Sequence, residues 1–478
     1  MGTTGTLIEE KIPTKSAVAV SMADASVALL QGLIGAGLAI YFTTVRGLSV
    51  ELNFAAWMLF LVWNSVNDPL IGYIADKTKH ELGRRIPYIR YGIPILVIGY
   101  IMCWAPIPGL EGDQLALFIQ LLLALFIYDT MYTAVATALY IMPYEMAVSN
   151  KERTRVFVWK TLFSVVAIAG PIIILPIIQP GPTDPVMPYF TFHLVVAVLV
   201  GFIVFVSSFF YKENKYTQHE EQTPFVKALK LTFKNRSFIA FEFISFTSIY
   251  LVTALPMGLI YYVELVLDSM NDFFLQIIGL ITGVIIGFYF FITQNEKFGT
   301  KKSMLYLIAP FAIGCLIILL FGLFVIPTMI GMVFVGIGFS GSFIMIPLMN
   351  GDVIDYDESV TGLRREGMYA GVNSFVTKPG ISIAEGLVPL LLVSFGYMPN
   401  VEAGLQPASV EIGVLISWMV IPVILLSISF LVIWKFYNLE GPEWRAKKEQ
   451  LAKIHAEKER ELLASLGYAY TDEEPVEE

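Results

Sequence analysis

The stretch AAWMLFLVWNSVNDPLIGYIADKTKHELGRR, residues 55–85, runs without a charge as far as Asn67, then meets Asp68 and Pro69, and closes in a basic cluster. About 20 apolar residues of helix cross a hydrocarbon core, so the first part of this stretch is built to lie in lipid. The basic end is built to stay in water. Asp68 falls between the two. It lies about eight residues from the inner end of its helix, which is roughly 12 Å by helical rise. A charge at such a depth costs roughly 3 kcal/mol on insertion scales, so it calls for a partner or a water-filled cavity.

The pattern of this stretch extends to the whole chain. Of 478 residues, 56% are hydrophobic and only 15% charged, and the mean hydropathy is +0.69. That composition describes a protein dissolved in lipid. Twelve apolar segments of spanning length recur, at residues 18–44, 53–76, 89–108, 114–144, 156–179, 190–211, 237–265, 272–294, 303–325, 327–349, 367–396 and 411–437. With the N-terminus inside, the inward segments hold 29 of the 31 Lys and Arg residues; the others are Arg46, in the first outward loop, and Lys378, inside span eleven. Basic loops stay on the cytoplasmic side, so both termini are expected there and the protein is expected to be integral to the cell membrane. The net charge of −9 gathers partly in loops and in the acidic end DEEPVEE, and nothing in it suggests nucleic acid. The opening MGTTGT matches a myristoylation pattern at Gly2 and Thr6, though the match is short.

A polar segment at residues 212–236 divides six spans from six. The expected organisation is a half over 1–211, a central loop, a second half over 237–437, and a tail over 438–478 whose GPEWRAKKEQ start reads as a surface helix. The halves echo each other. GYIADKTKHELGRR after span two and GFYFFITQNEKFGTKK after span eight each carry a glycine, a polar turn, a second glycine and a basic pair. Such paired repeats place substrate between the halves near midplane.

Two charges stand deep inside expected spans. Asp68 and Lys378 each precede a proline, Pro69 and Pro379, whose missing N–H frees a carbonyl one turn back, at Ser65 and Phe375. Asn64 lies one turn from Asp68 on the same face and adds an amide oxygen. Such a cluster of hard oxygens suits Na⁺, and the carboxylate alone suits H⁺; an ion pair that only joins the halves is the structural alternative. Asp24, Asp129 and Glu385 also sit in spans, with Tyr128, Asp129, Tyr132 and Thr133 forming a polar and aromatic stripe, and these acids are candidate substrate contacts. Glu242, nearer a helix end, reads as snorkelling. The four histidines fall in loops or at helix ends and read as solvated, and Cys103 and Cys315 read as small apolar groups. No phosphate-cradling GxxxxGK[ST] loop, zinc-type His pair or nucleophile elbow occurs, which argues against an ATP-driven pump and against an enzyme.

Taken together, Asn67, Asp68, Pro69, Gly72, Asp76, Gly83, Arg84 and Arg85, the Pro143-Tyr144-Glu145 run with Arg153, and Asp352, Asp355, Arg364, Arg365 and Lys378 resemble the glycoside-pentoside-hexuronide:cation symporters of the major facilitator superfamily. The resemblance covers the whole chain. It implies an all-α membrane protein of twelve transmembrane helices in two six-helix halves, with acids of span two binding a coupling cation beside the span-eleven lysine. It carries those roles onto Asp68 and Lys378 and adds Thr133 of span four. Sodium-coupled members have a second aspartate where this chain has Asn64, and the sugar-binding acid of span four is replaced by Ala136.

These readings combine into an expected mechanism of alternating access with no cofactor besides a coupling ion. Na⁺ or H⁺ neutralises Asp68, frees Lys378 and lets the halves rock around a small solute, most simply a sugar or glycoside. A lysophospholipid cargo and a non-transporting sensor are the rivals. Gly72, Asp76, Gly83, Arg84, Arg85, Arg153, Asp352, Asp355, Arg364 and Arg365 are the expected cytoplasmic gate. The expected partners are the solute, the cation and the bilayer.

Overall fold

Lipid offers no hydrogen bonds to a backbone, so a chain this apolar satisfies its own amides by forming helices. The computed structural model describes residues 8–213 (apart from 77, 79, 148, 182 and 183), 232–267, 270–362, 366–399, 401–466 and 468–469. The helices are α1 Thr14–Ile40, α2 Val50–Asp76, α3 Ile86–Trp104, α4 Gln114–Met146, α5 Asn150–Ile178, α6 Val186–Ser207 and α7 Arg236–Leu265. They continue with α8 Asp272–Phe291, α9 Lys297–Phe321, α10 Val325–Thr361, α11 Glu366–Thr377, α12 Pro379–Val393, α13 Ser409–Phe436 and α14 Gly441–Ser465. Among the described residues, eleven spans meet a length and composition test for crossing a membrane, with α11 and α12 counted in one of them. Helix α2, 27 residues long, packs among them as the twelfth.

Local chemistry sets several boundaries. Asp113 caps α4 by accepting from the N–H groups of Leu115 and Ala116, both at 3.1 Å, and Asn235 caps α7 in the same way. The eleventh span breaks at Lys378 because Pro379 has no N–H to continue the ladder. The two echoed loops share a positive-φ glycine. Their second glycines, Gly83 and Gly299, both take left-handed backbone, at φ of +110° and +77°, which turns the chain between neighbouring spans. Helices α8 and α10 approach so closely that a Cβ on Gly336 would sit 2.8 Å from the Val284 nitrogen, the small-residue packing that membrane helices favour.

Within the first half, α1 packs on α5 and α6, and α3 on α4; in the second, α7 packs on α13. The halves meet where α2 runs along α11 and α12 and where α1 lies against α7. Further polar contacts join them on the side away from the basic loops. There the hydroxyls of Thr44 and Tyr397 are 3.0 Å apart, and Asn53 donates to the carbonyl of Glu385 at 3.4 Å.

On the basic side the two termini meet. Ile8–Glu9 pairs in parallel with Tyr468–Ala469. The N-terminal segment is tied to the first half, since Glu10 and Glu152 accept from the N–H groups of Ser149 and Ile12, both at 2.7 Å. The tail helix α14, expected as a solvated surface helix, is instead anchored on the second half. Lys448 pairs with Asp352 at 2.5 Å, His455 lies 2.8 Å from Glu358, and Trp444, Leu451 and Leu463 are buried. The expectation of solvated histidines therefore fails twice. His193 fails it most fully, being buried, stacked on Trp104 at 3.7 Å and 2.8 Å from the Tyr100 hydroxyl. It sits seven residues into α6, where an imidazole has ring partners available and no water. Gly2, Thr6, Arg364 and Arg365 lie outside the described residues.

Candidate functional site

The cluster forms where α2, α4 and the break between α11 and α12 converge. The break turns the Lys378 side chain toward α2, and its ammonium donates to Asp68 Oδ1 at 2.5 Å and to Thr133 Oγ1 at 3.1 Å. The Thr133 hydroxyl donates to the same Asp68 oxygen at 2.9 Å. Asp129, one turn before Thr133 on α4, brings a second carboxylate to 3.8 Å from Lys378 Nζ. Asn67 locks that acid in place: its Nδ2 donates to Asp129 Oδ2 at 2.8 Å, to the Asp129 carbonyl at 3.1 Å and to Thr133 at 3.0 Å. With both carboxylates ionised, Asp68, Asp129 and Lys378 carry one net negative charge. Such a site stands one monovalent cation short of neutrality, and the ammonium already occupies part of the place that cation would take. Exposure of the Asp68 and Lys378 side chains is 16% and 15%, so the cluster is neither sealed nor open to bulk solvent.

The sequence expectation is met in part and corrected in part. Asp68, Lys378 and Thr133 come together as expected. Asp129, expected to touch substrate, stands beside Lys378 and places a second carboxylate next to Asp68, where α2 has Asn64. Asn64 is buried with its Oδ1 unpartnered, and the amide in contact with the cluster is Asn67. The Asn67 Oδ1 is also buried and unpartnered, so two spare acceptors lie on α2 beside Asp68. Hard oxygens of this kind fit Na⁺, while the carboxylates alone fit H⁺.

The other expected substrate contacts fall elsewhere. Asp24 pairs with Lys160 at 3.1 Å, an ion pair between α1 and α5. Lys160 reads in the sequence as an orienting loop charge, yet it is 9% exposed and ten residues into its helix. Tyr128 is buried inside the first half, its ring 6.0 Å from that of Tyr100 and 5.7 Å from Tyr132, and so lines no open cavity. Glu385 is fully buried at the closed contact between halves. Each of these side chains turns toward a neighbouring helix.

Arg84, Arg85 and Arg153 engage partners of the first half and the loop after it, and Asp352 partners of the second half and its tail. Arg84 donates to Glu145 at 2.7 Å, and the N–H groups of Arg84, Arg85 and Ile86 all point at the Glu213 carboxylate, at 2.6, 2.6 and 2.9 Å. These amides open α3, whose N-terminal dipole favours an anion. Arg153 donates to the Ala147 carbonyl at 2.9 Å. Asp352 takes Lys448 and the Tyr437 hydroxyl. Asp355 has partners of its own, Gly72 lies on α2 with open space around it, and Asp76 ends α2. Glu213 and Lys448 escaped the sequence reading, and Glu145 entered it only through the resemblance, because a charged side chain carries no signal of which partner it will meet.

A family model described as MFS/sugar transport protein matches residues 19–441. Similar proteins include a putative glycoside/cation symporter, YagG, of Escherichia coli (strain K12), 25% identical over 88% of this chain and 90% of that one. The isoprimeverose transporter of Lactiplantibacillus pentosus is 23% identical over 92% of each, and the sodium-dependent lysophosphatidylcholine symporter 1 of Gallus gallus is 22% identical over 89% and 86%. A solved nucleoside transporter, NupG, superposes with a TM-score of 0.61 at 13% identity, over 89% of this chain and 100% of that one. At that identity the likeness speaks for the fold.

Proposed function

This chain belongs to the MFS/sugar transport protein family, the glycoside-pentoside-hexuronide:cation symporters, and on that premise we propose that it moves a sugar or glycoside-like solute together with one monovalent cation drawn to Asp68 and Asp129. It is a secondary transporter and not an enzyme, an integral membrane protein that works on a small solute and a coupling cation. The single observation carrying the proposal is the Asp68, Lys378 and Asp129 cluster with its one net negative charge between the two halves.

The mechanism follows from charge competition. With no cation bound, Lys378 bridges α2 and α4 from the second half and holds the halves together at midplane. Na⁺ or H⁺ at Asp68 removes the attraction that holds the ammonium, and Lys378 retains Asp129 alone. Cation binding thereby exchanges a cross-half ion pair for a neutralised site, and the halves are released to rock around the solute. A site that has lost its cation regains the bridge and resists the motion.

The basic side is read as cytoplasmic, with both termini on it, and the membrane as the cell membrane. Residues 1–211 and 237–437 then move as two bodies joined by 212–236, with 438–478 riding on the second. The contacts Thr44 to Tyr397 and Asn53 to Glu385 lie on the far side, and exposure falls from 16% at the Asp68 side chain to zero at Glu385. That gradient supports an inward-facing state. In it, Arg84 with Glu145 and Asp352 with Lys448 are gate pairs held within their halves, ready to be exchanged when the cytoplasmic side closes.

The cargo class rests on relatives, named as carriers of glycosides, isoprimeverose and glucuronides. A second reading, an amphiphile with an acyl chain, rests on the relative named as a lysophosphatidylcholine symporter. Uptake into proteoliposomes of a panel of glycosides, uronides and lysolipids, under an imposed Na⁺ or H⁺ gradient, tests both. Accumulation of a glycoside only with a cation gradient supports the first; accumulation of a lysolipid alone replaces it with the second.

A further inference from the structure

Glu385 lies on α12 seven residues beyond Lys378, about 10 Å closer to the sealed side by helical rise. Its side chain is fully buried, and among the described residues no side chain donates to either carboxylate oxygen; from the backbone, only the N–H of Ala39 on α1 approaches it. Four helices enclose it. Its Oε1 is 3.8 Å from where a Cβ on Gly35 of α1 would stand, and Thr253 of α7 adjoins the same spot at 3.7 Å. Asn53 of α2 donates to its carbonyl, and Phe54 packs on Gly386, 3.0 Å from where its Cβ would be.

The neighbours offer no compensating charge. From α1 come Gly35 and Ala39, and from α2 the neutral amide of Asn53. From α7 comes the phenol of Tyr261, with Glu264 beyond it. On α12's own side, Lys378 is engaged by Asp68. Among the described residues no cation reaches Glu385. An ionised carboxylate with neither a cation nor a side-chain donor beside it is too costly to hold in a packed interface, so this contact can close only over a neutral carboxyl.

We propose that Glu385 is a proton-binding site, distinct from the Asp68 cluster, whose protonation is required for the external side to close. When that side opens, α1 and α2 draw away from α7 and α12, and the carboxyl meets water and releases its proton. Closing takes one proton up from the outside. The sign of the linkage is fixed. Closure is at full strength below the ordinary carboxylate range of about 4, and above it the closed-to-open ratio falls about tenfold per pH unit until the closed state also releases the proton. The inference rests on the alternating-access reading of the fold and is independent of which solute is carried.

The test reads conformation and not uptake, so it separates this inference from the identity of the cargo. Spin labels at Glu51→Cys and Met398→Cys, exposed positions on the external ends of opposite halves, report the gap in full-length protein in lipid nanodiscs. Cys103 and Cys315 are buried. Between about pH 5 and about pH 9, the doubly labelled parent is expected to pass from one short distance to a growing longer one, with the ratio changing up to about tenfold per unit. Glu385→Gln, which mimics the neutral carboxyl, is expected to keep the short distance throughout, and Glu385→Leu serves if the amide variant fails to fold. The proposal is overturned if the parent shows no change with pH, or if the neutral variant responds with the parent's midpoint and amplitude.

Discussion

Replacing Asp129 with Asn separates the two carboxylates that the structure places around one lysine. The change is nearly isosteric, so Asn67 retains an oxygen to donate to, and the fold is expected to hold. What is lost is the net negative charge, since Asp68 and Lys378 alone are neutral. At 3.8 Å and an effective dielectric near 20, the gross Coulomb energy between Asp129 and a neighbouring unit charge is roughly 4 kcal/mol. Partial exposure of the cluster screens it, leaving about 1 to 2 kcal/mol as the loss in cation affinity. That is about a 5- to 30-fold higher cation concentration for half-maximal activation. The assay is solute uptake into proteoliposomes against a series of Na⁺ concentrations and external pH values, with solute held constant. An Asp129→Asn protein with the parent's cation dependence would refute the assignment of a second carboxylate to this site.

Lys378→Gln leaves two unopposed carboxylates, so cation affinity measured by calorimetry is expected to rise at least about tenfold while gradient-driven accumulation falls. Lys160→Met strands Asp24 and is expected to cost about 1 to 2 kcal/mol of stability; Asp24→Asn in the same chain recovers part of it in a double-mutant cycle followed by thermal unfolding in detergent. Gly83→Ala forces a side chain into φ +110° and into the Glu213 carboxylate, so it is expected to lower the unfolding temperature by several degrees, equivalent to about 1 to 2 kcal/mol, and to loosen the loop after α2.

Charge in an apolar run is the loudest signal in a membrane sequence, which is why Asp68 and Lys378 could be read without coordinates. The glycine echo was legible for a related reason: Gly83 and Gly299 occupy turns that only left-handed backbone completes. Helical register carried the reading less far. It places Asn64 on the face of Asp68, but α4 approaches about 100° round the helix, and there Asn67 meets Asp129. Register also put Asp129, Tyr128 and Glu385 on faces that point inward, without saying whether inward meant a cavity or another helix. Lys160 was hidden by its position, close enough to a basic loop to pass for one of its charges. His193 was hidden because its ring partners Tyr100 and Trp104 come from α3, and sequence distance conceals both. The partners of the basic loops, Glu145 and Glu213, follow from tertiary placement alone.

The account stands on exchange between the cation and Lys378 at Asp68. Asp68→Asn, reconstituted at the parent's density, removes the group to be neutralised while leaving an oxygen for Thr133 to donate to. Accumulation of solute against its gradient and solute exchange at equal concentrations on the two sides are measured on the same vesicles. The expected result is loss of cation-driven accumulation with exchange preserved. Accumulation that persists under the same Na⁺ or H⁺ gradient would contradict the account.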